Sequence, residues 1–394
     1  MMERADVIVI GAGAAGLMCA LSAGRRQRKV LVLDHAARPG QKLLVTGGGR
    51  CNFTNYHLDA ANYLSHNPHF CKSALSRFSQ WDFIDLVKLH CIPFHEREQG
   101  RLFCDGNARE ILDMLLGECA RAGVNFRFNT TITGVEKCGE HEFRVSGAWG
   151  QLRCHSLVVA TGGLSMPAIG ATPFGYRLAE QFGLKLRPTR AGLVPFTLQP
   201  ADKEKLSPLA GIAVLCEAAN QRRSFRENIL FTHRGLSGPA ILQLSSYWQP
   251  GEEIVINLLP GLDLLALLKG AKAQRPQRKL KSVLAELLPK RLIAAFIDEV
   301  DLESTLQAIS QSRLQQVAEL LQQWRIKPGG TEGYRTAEVT LGGVDCDGIS
   351  SKTMESREQA GLYFVGEVLD VAGWLGGYNL QWAWSSGWCA GQYA

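Results

Sequence analysis

An apolar run, Asp6-Val-Ile-Val-Ile10, leads straight into Gly11-Ala-Gly13-Ala-Ala-Gly16 and a helix-compatible stretch to Ala23. A second run, Lys29-Val-Leu-Val-Leu-Asp34, follows and ends on an acid. This order predicts a strand, a glycine turn, a helix and a parallel second strand, so it commits the chain to an α/β fold with a covered sheet. Gly11 permits the tight turn, Gly13 lets backbone N–H groups approach a pyrophosphate, and Gly16 lets the helix close on the sheet. The helix start at Ala14 and Ala15 favours phosphate charge. Asp34, eighteen residues after Gly16, is placed to accept hydrogen bonds from an adenosine ribose. Residues 7–23 have the apolarity of a membrane or signal segment. A spanning helix, however, needs about 20 apolar residues, and here three glycines at fixed spacing stand behind an acid. A soluble, cytoplasmic protein is expected.

NAD and FAD both use such a unit, and later segments favour FAD. Leu157-Val-Val-Ala160-Thr161-Gly162-Gly163 reads as a strand ending in a glycine pair that passes close to the dinucleotide. Gly361-Leu-Tyr-Phe-Val-Gly366-Glu367 is a second such strand, with an acid just past its end. Gly373, Gly376 and Gly377 follow, then Tyr378, Asn379 and a helix from about Leu380 to Ala390. Three strand ends from both halves of the chain converging on one ligand is the layout of a large FAD domain. The last helix would aim its positive end at the flavin N1/C2=O edge. There is no second GxGxxG and no CxxxxC pair. A nicotinamide donor, NADH or NADPH, would therefore visit the flavin transiently.

Texture divides the chain into five segments. Residues 1–190 alternate strand and helix patterns, and residues 338–394 complete that domain. Residues 191–262 carry short β segments between Gly, Pro and Asn turns, as in a small barrel or sandwich, and 325–337 supply a return strand. Between them, 263–324 is helical, with apolar spacing of three and four in LLALL, SVLAELL, RLIAAFI and LQQVAELLQQW.

The segment Gly40-Gln-Lys42-Leu-Leu-Val-Thr46-Gly47-Gly48-Gly49-Arg50-Cys51-Asn52 resembles the GGGRCN signature of the BaiN/YhiN-like flavoproteins. Phe231-Thr-His233-Arg-Gly235-Leu-Ser237-Gly238-Pro239, Glu338-Val-Thr340-Leu-Gly342-Gly343 and Gly376-Gly377-Tyr378-Asn379-Leu380-Gln381 are similar to further blocks of that family. At 170–176 the chain reads GATPFGY where many members carry a GxTGxGY turn, which suits the YhiN-like branch. The resemblance implies an α/β fold: an FAD-binding Rossmann-like domain of the glutathione-reductase type, with an inserted β-barrel that itself carries the helical insert. It implies reduction of a carbon–carbon double bond. For the YhiN-like branch this means the C5=C6 bond of a uridine in 23S large-subunit ribosomal RNA. Two other readings stand beside it: a flavin reductase of a small conjugated ketone or steroid, and a flavin-carrying RNA-binding factor.

Saturating a conjugated bond needs a general acid opposite the flavin. The signature places Gly48, Gly49, Arg50, Cys51 and Asn52 beside the ring. Cys51 reads as the acid or as packing in a tight glycine turn. Arg50 reads as a substrate contact or as a clamp on FAD phosphate. Lys42 suits FAD phosphate or ribityl contacts, and Glu367 and Asn379 suit the cofactor. His233 follows a β-like run and is either active or structural. Trp374 lies in a loop, whereas Trp382, Trp384 and Trp388 fit core packing. The eleven cysteines are scattered, with no CxxC pair and no Cys/His cluster, so no metal site is expected.

The chain has 43 Lys+Arg against 37 Asp+Glu, a net +6, and the excess is local. Lys269–Arg291 holds eight basic residues, among them Lys272, Arg275, Arg278, Lys279, Lys281, Lys290 and Arg291, against the single acid Glu286. A solvated helical face would explain such a run. So would a phosphate-backbone site for ribosomal RNA or a pre-ribosomal particle.

Overall fold

The computed structural model describes residues 3–139 and 142–394. They form two compact units, one of residues 1–191 with 338–394, the other of residues 192–337.

The first unit is built on five parallel strands in the order Leu362–Phe364, Ser156–Val159, Val7–Ile10, Val30–Leu33 and Asn125–Arg127. Val7 stands opposite both Ser156 and Val30. Every residue of the first four strands is buried. That is why they show continuous apolar runs rather than alternation. The apolar stretch 7–23 thus splits into a strand and the helix Ala14–Arg25. Among the described residues no helix is long and apolar enough to cross a membrane.

Ala14–Arg25 is buried from Ala15 to Gly24 because the C-terminal helix, Tyr378–Gly391, lies along it. Glycine makes the approach possible. A Cβ on Gly387 would fall 2.3 Å from the Ala15 carbonyl oxygen, and one on Gly391 would fall 2.4 Å from the Ser22 Cβ. One turn on from Gly387, Gly391 meets Cys19 and Ser22, farther along the first helix than Ala15, so the two run in the same direction. Arg26 ties off the pair, donating to the carbonyls of Gly391 and Ala394 at 3.0 Å. The C-terminal helix begins at Tyr378, two residues before the expected Leu380, because Gly377 takes a left-handed φ of 94° at its N-cap. Its tryptophans fill the unit. Trp384 stacks on Phe83 at 4.4 Å and donates from Nε1 to the Phe53 carbonyl at 2.9 Å, while Trp382 donates to the Gly366 carbonyl at 3.1 Å.

In the second unit seven antiparallel strands run Trp324–Ile326, Ile254–Asn257, Ala213–Ala219, Ser224–Phe231, Gly235–Ser237, Phe196–Thr197 and Gly330–Thr331. Among the described residues no ladder pairing joins the first strand to the last, but only residues 327–329 separate them in the chain, so the two edges lie close and the sheet curls round as the expected barrel does. Ser224–Phe231 alternates exposed and buried residues, as a half-covered strand does. Five helices occupy Leu264–Gln274, Leu280–Leu284, Lys290–Phe296, Glu299–Glu303 and Gln311–Gln322, around buried Leu268, Leu284, Ile293, Leu314 and Leu321.

Gly387→Val would drive a branched side chain into the backbone of the helix Ala14–Arg25. Urea unfolding should show a loss of about 2–3 kcal/mol relative to the parent protein. An unchanged midpoint would mean that the two helices are not in close contact.

Candidate active site

A cavity of about 750 Å³ opens within the first unit, a size suited to a cofactor. Four parallel strands end at it, delivering Gly11 with Gly13–Ala15, Asp34, Ala160–Gly163 and Val365–Glu367 to its wall. This is the crevice at the carboxyl ends of an α/β sheet where ligands bind. Gly11, at φ 109°, passes so close to the next strand end that a Cβ would sit 2.4 Å from the Ala160 oxygen. Gly13 differs: a Cβ there meets nothing within 4 Å, and the same holds at Gly48 and Gly162. All three line the cavity, so they leave the room that a bound group would fill. No side chain caps the helix that starts after Gly13, so its first N–H donors and its dipole are available to an anion. These features fit a dinucleotide with its pyrophosphate at Gly13, Ala14 and Ala15.

Several expected contacts take a different form. Gly16 is not on the wall; its missing Cβ makes room for the Gly11 carbonyl. Asp34 is on the wall, and its carboxylate also accepts from Ala12 N at 2.7 Å and Ala36 N at 2.8 Å, pinning the glycine loop. A carboxylate has lone pairs beyond those two for ribose hydroxyls. Lys42 is ion-paired with Glu367 and donates to Ser165 Oγ at 2.7 Å, so its charge is already met. Glu367 also accepts from Ser165 Oγ and from Thr340 N, both at 2.9 Å. Thr340 Oγ1 accepts from Leu164 N and Ser165 N at 2.7 and 3.1 Å. This network joins the 40–52 and 160–166 segments to the strand that begins at Val339. Asn379 spends its amide on its own loop, accepting from Gly373 N and donating to the carbonyls of Gly373 and Trp374. Tyr378 is buried off the wall, with its hydroxyl on the His57 carbonyl. Asn52, Ala160, Thr161, Gly162, Gly366, Gly377 and Leu380 line the cavity, whereas Gly49 and Arg50 do not.

Cys51 is fully buried and absent from the wall. Burial, with the Cys104 thiol beside it, pushes its pKa well up, so it is a poor proton donor. The structure gives it the packing role in a turn closed by Cys51 N on the Thr46 carbonyl at 3.1 Å. Arg50 is exposed, with its carbonyl accepting from Cys104 N. His233 is exposed in the 232–235 turn of the second unit.

Sequence reasoning passed over residues that do face the cavity. Glu338 opens onto it with its side chain exposed to the cavity; crowding by nearby protein pushes its carboxyl up, against the pull of Lys42 and Arg101, and the solvent of the open cavity screens that push. The available signal was its position as the acid immediately before the buried strand Val339–Val344. Arg97, Arg101 and Phe103 reach the wall from the hairpin 94–104. Among the described residues no group of His, Cys, Asp and Glu could hold a metal ion.

The basic run of the second unit is more fully paired than its composition suggests. Lys279 and Lys281 share Glu303, whose pKa they pull down to about 2 through hydrogen bonds. Arg278 pairs with Glu286, Lys272 donates to the Ile309 carbonyl, and Arg291 donates to the Pro208 carbonyl. Arg275 and Lys290 are exposed.

The model of the HI0933-like protein Rossmann domain matches residues 5–393. The chain is 54% identical over 394 residues to a ribosomal RNA dihydrouridine synthase of Escherichia coli K12, covering 99% of this chain and 98% of that one. It is 49% identical to the protein of the same description in Haemophilus influenzae, over 98% of this chain and 97% of that one. It is also 27% identical to a 3-dehydro-bile acid delta(4,6)-reductase of Clostridium scindens, over 98% of each.

Gly11 and Gly13 should separate folding from binding. Gly13→Val adds a side chain in free space at an ordinary φ of −83°, so thermal unfolding of the ligand-free protein should be unchanged while dinucleotide binding is lost. Gly11→Ala should lower the unfolding temperature itself. Full binding by Gly13→Val would remove the phosphate assignment.

Proposed function

The chain belongs to the HI0933-like Rossmann-domain family, and we propose that it is an FAD-dependent oxidoreductase that converts a uridine of ribosomal RNA to dihydrouridine. We place the target in 23S RNA, the reaction in the cytoplasm, and NADH or NADPH as the reductant. The observation that carries this reading is the end-to-end likeness to two proteins described as ribosomal RNA dihydrouridine synthases. FAD, when bound and reduced by the nicotinamide, would supply the hydride that saturates the bond.

The chain's own groups have distinct tasks. The N–H donors at Gly13–Ala15 bind the pyrophosphate, and Asp34 binds the ribose. The start of the helix Tyr378–Gly391 turns its positive end toward the ring, favouring negative charge there. Glu338 supplies the proton to the substrate carbon, replacing Cys51 in that task. Its raised pKa keeps it protonated to higher pH than an ordinary glutamic acid, as a general acid requires. The exposed cations of the helical insert, Arg275 and Lys290 foremost, contact RNA phosphates. The Clostridium scindens relative favours a second reading, reduction of a small conjugated ketone.

Mass spectrometry of ribosomal RNA from a strain lacking the gene should show one dihydrouridine missing, and a plasmid copy should restore it. Retention of every dihydrouridine would sink the RNA reading. Turnover should fall as pH rises through the Glu338 pKa. Glu338→Gln should flatten that limb and lower kcat about 10²–10⁴-fold, whereas Cys51→Ala should turn over like the parent. A Gln variant with the parental pH profile would remove Glu338 as the acid.

A further inference from the structure

Arg97 and Arg101 stand directly opposite each other across the antiparallel strands Phe94–Arg97 and Arg101–Cys104, and both line the cavity. Two guanidinium groups in that relation concentrate positive potential on this part of the wall, beside the pull that Arg101 exerts on Glu338. Neither guanidinium is left to drift. Arg97 Nε donates to His95 Nε2 at 3.1 Å, and His95 Nδ1 lies 2.5 Å from Asp105. An arginine only donates, so His95 Nε2 accepts and Nδ1–H donates to the Asp105 carboxylate. The Arg97 guanidinium also lies 4.5 Å over the Phe103 ring. Arg101 donates from Nη2 to Gln99 Oε1 at 2.8 Å, and its Nε lies 2.9 Å from where a Gly376 Cβ would be. Asp105 and Phe103 thus hold one planar fork, and Gln99 and Gly376 hold the other.

The position of the pair says which ligand it meets. Phe103 packs on Gly47 and Arg101 on Gly376, so the hairpin covers the loops that precede Asn52 and Tyr378. These belong to the end of the cavity at the start of the C-terminal helix. Ala15 is level with Gly387, so at 1.5 Å per residue that helix starts about 12 Å beyond the helix Ala14–Arg25. The pyrophosphate site at Gly13–Ala15 is therefore accounted for elsewhere.

We propose that Arg97 and Arg101 form a phosphate fork that grips the RNA backbone beside the target nucleotide. The inference rests on the RNA reading above and gives that reading a contact at the cavity itself. Guanidinium pairs suit the task because each presents planar donors that match phosphate oxygens.

The test uses the flavin-loaded protein and a uridine-containing single-stranded RNA, with binding followed by fluorescence anisotropy between about 50 and 200 mM salt. Arg97→Gln and Arg101→Gln should each keep their flavin, bind RNA about tenfold more weakly, and lower the log–log salt slope by about 0.7. Arg97→Lys, which keeps the charge and loses the fork, should weaken binding with the slope retained. RNA affinity and slope unchanged in both Gln variants would overturn the fork while leaving the RNA reading intact. Loss of flavin in Arg97→Gln would overturn it by assigning the phosphate to the cofactor. A parent protein that binds no RNA would overturn both.

Discussion

The contact between the first helix and the last is the constraint from which the rest of the first unit follows. Gly387 and Gly391 allow Tyr378–Gly391 to lie against Ala14–Arg25 at backbone distance, and the two helices point the same way. Their N-termini therefore open on the same cavity, one well beyond the other along the common axis. A ligand that carries a pyrophosphate and, some distance away, a ring able to accept negative charge meets a positive helix end at both places. The segment 192–337 folds as its own compact unit, so its length does not disturb this pairing of chain ends.

Part of the wall between the two helix ends is polar and mutually satisfied. Lys42, Glu367, Ser165 and Thr340 form one network, which fixes the loop after Gly40 to the strand starting at Val339. Such a network is rigid because removing any member leaves a buried partner unsatisfied. Glu338, one residue before that strand, is left facing the cavity, in reach of the charges of Lys42 and Arg101. Scaffold and acid–base chemistry thus meet on consecutive residues.

The parts of the structure legible in the sequence were those whose cause is local. The run Asp6–Asp34 gives strand, turn, helix and strand because each piece depends on near neighbours and on burial of a continuous apolar stretch. The unreadable parts depend on partners distant in the chain. Lys42 looked free until Glu367, 325 residues away, was placed beside it. Cys51 was compatible in sequence with an acid or with packing in a glycine turn, and burial beside Cys104 decides for packing. Asn379 had the right position for a cofactor and uses its amide to close its own loop. The basic run lost part of its charge to Glu303, which lies outside the run and arrives only through folding. Arg97 and Arg101 were invisible as a pair because only the hairpin register sets them face to face.

The most direct test of this account is a crystal structure of the protein with FAD. The account predicts the pyrophosphate on the N–H groups of Gly13–Ala15, and the ring edge at the start of the helix that follows Gly377, within reach of Glu338. A ring at the Gly11–Gly16 end, or a flavin bound outside the cavity, would contradict it.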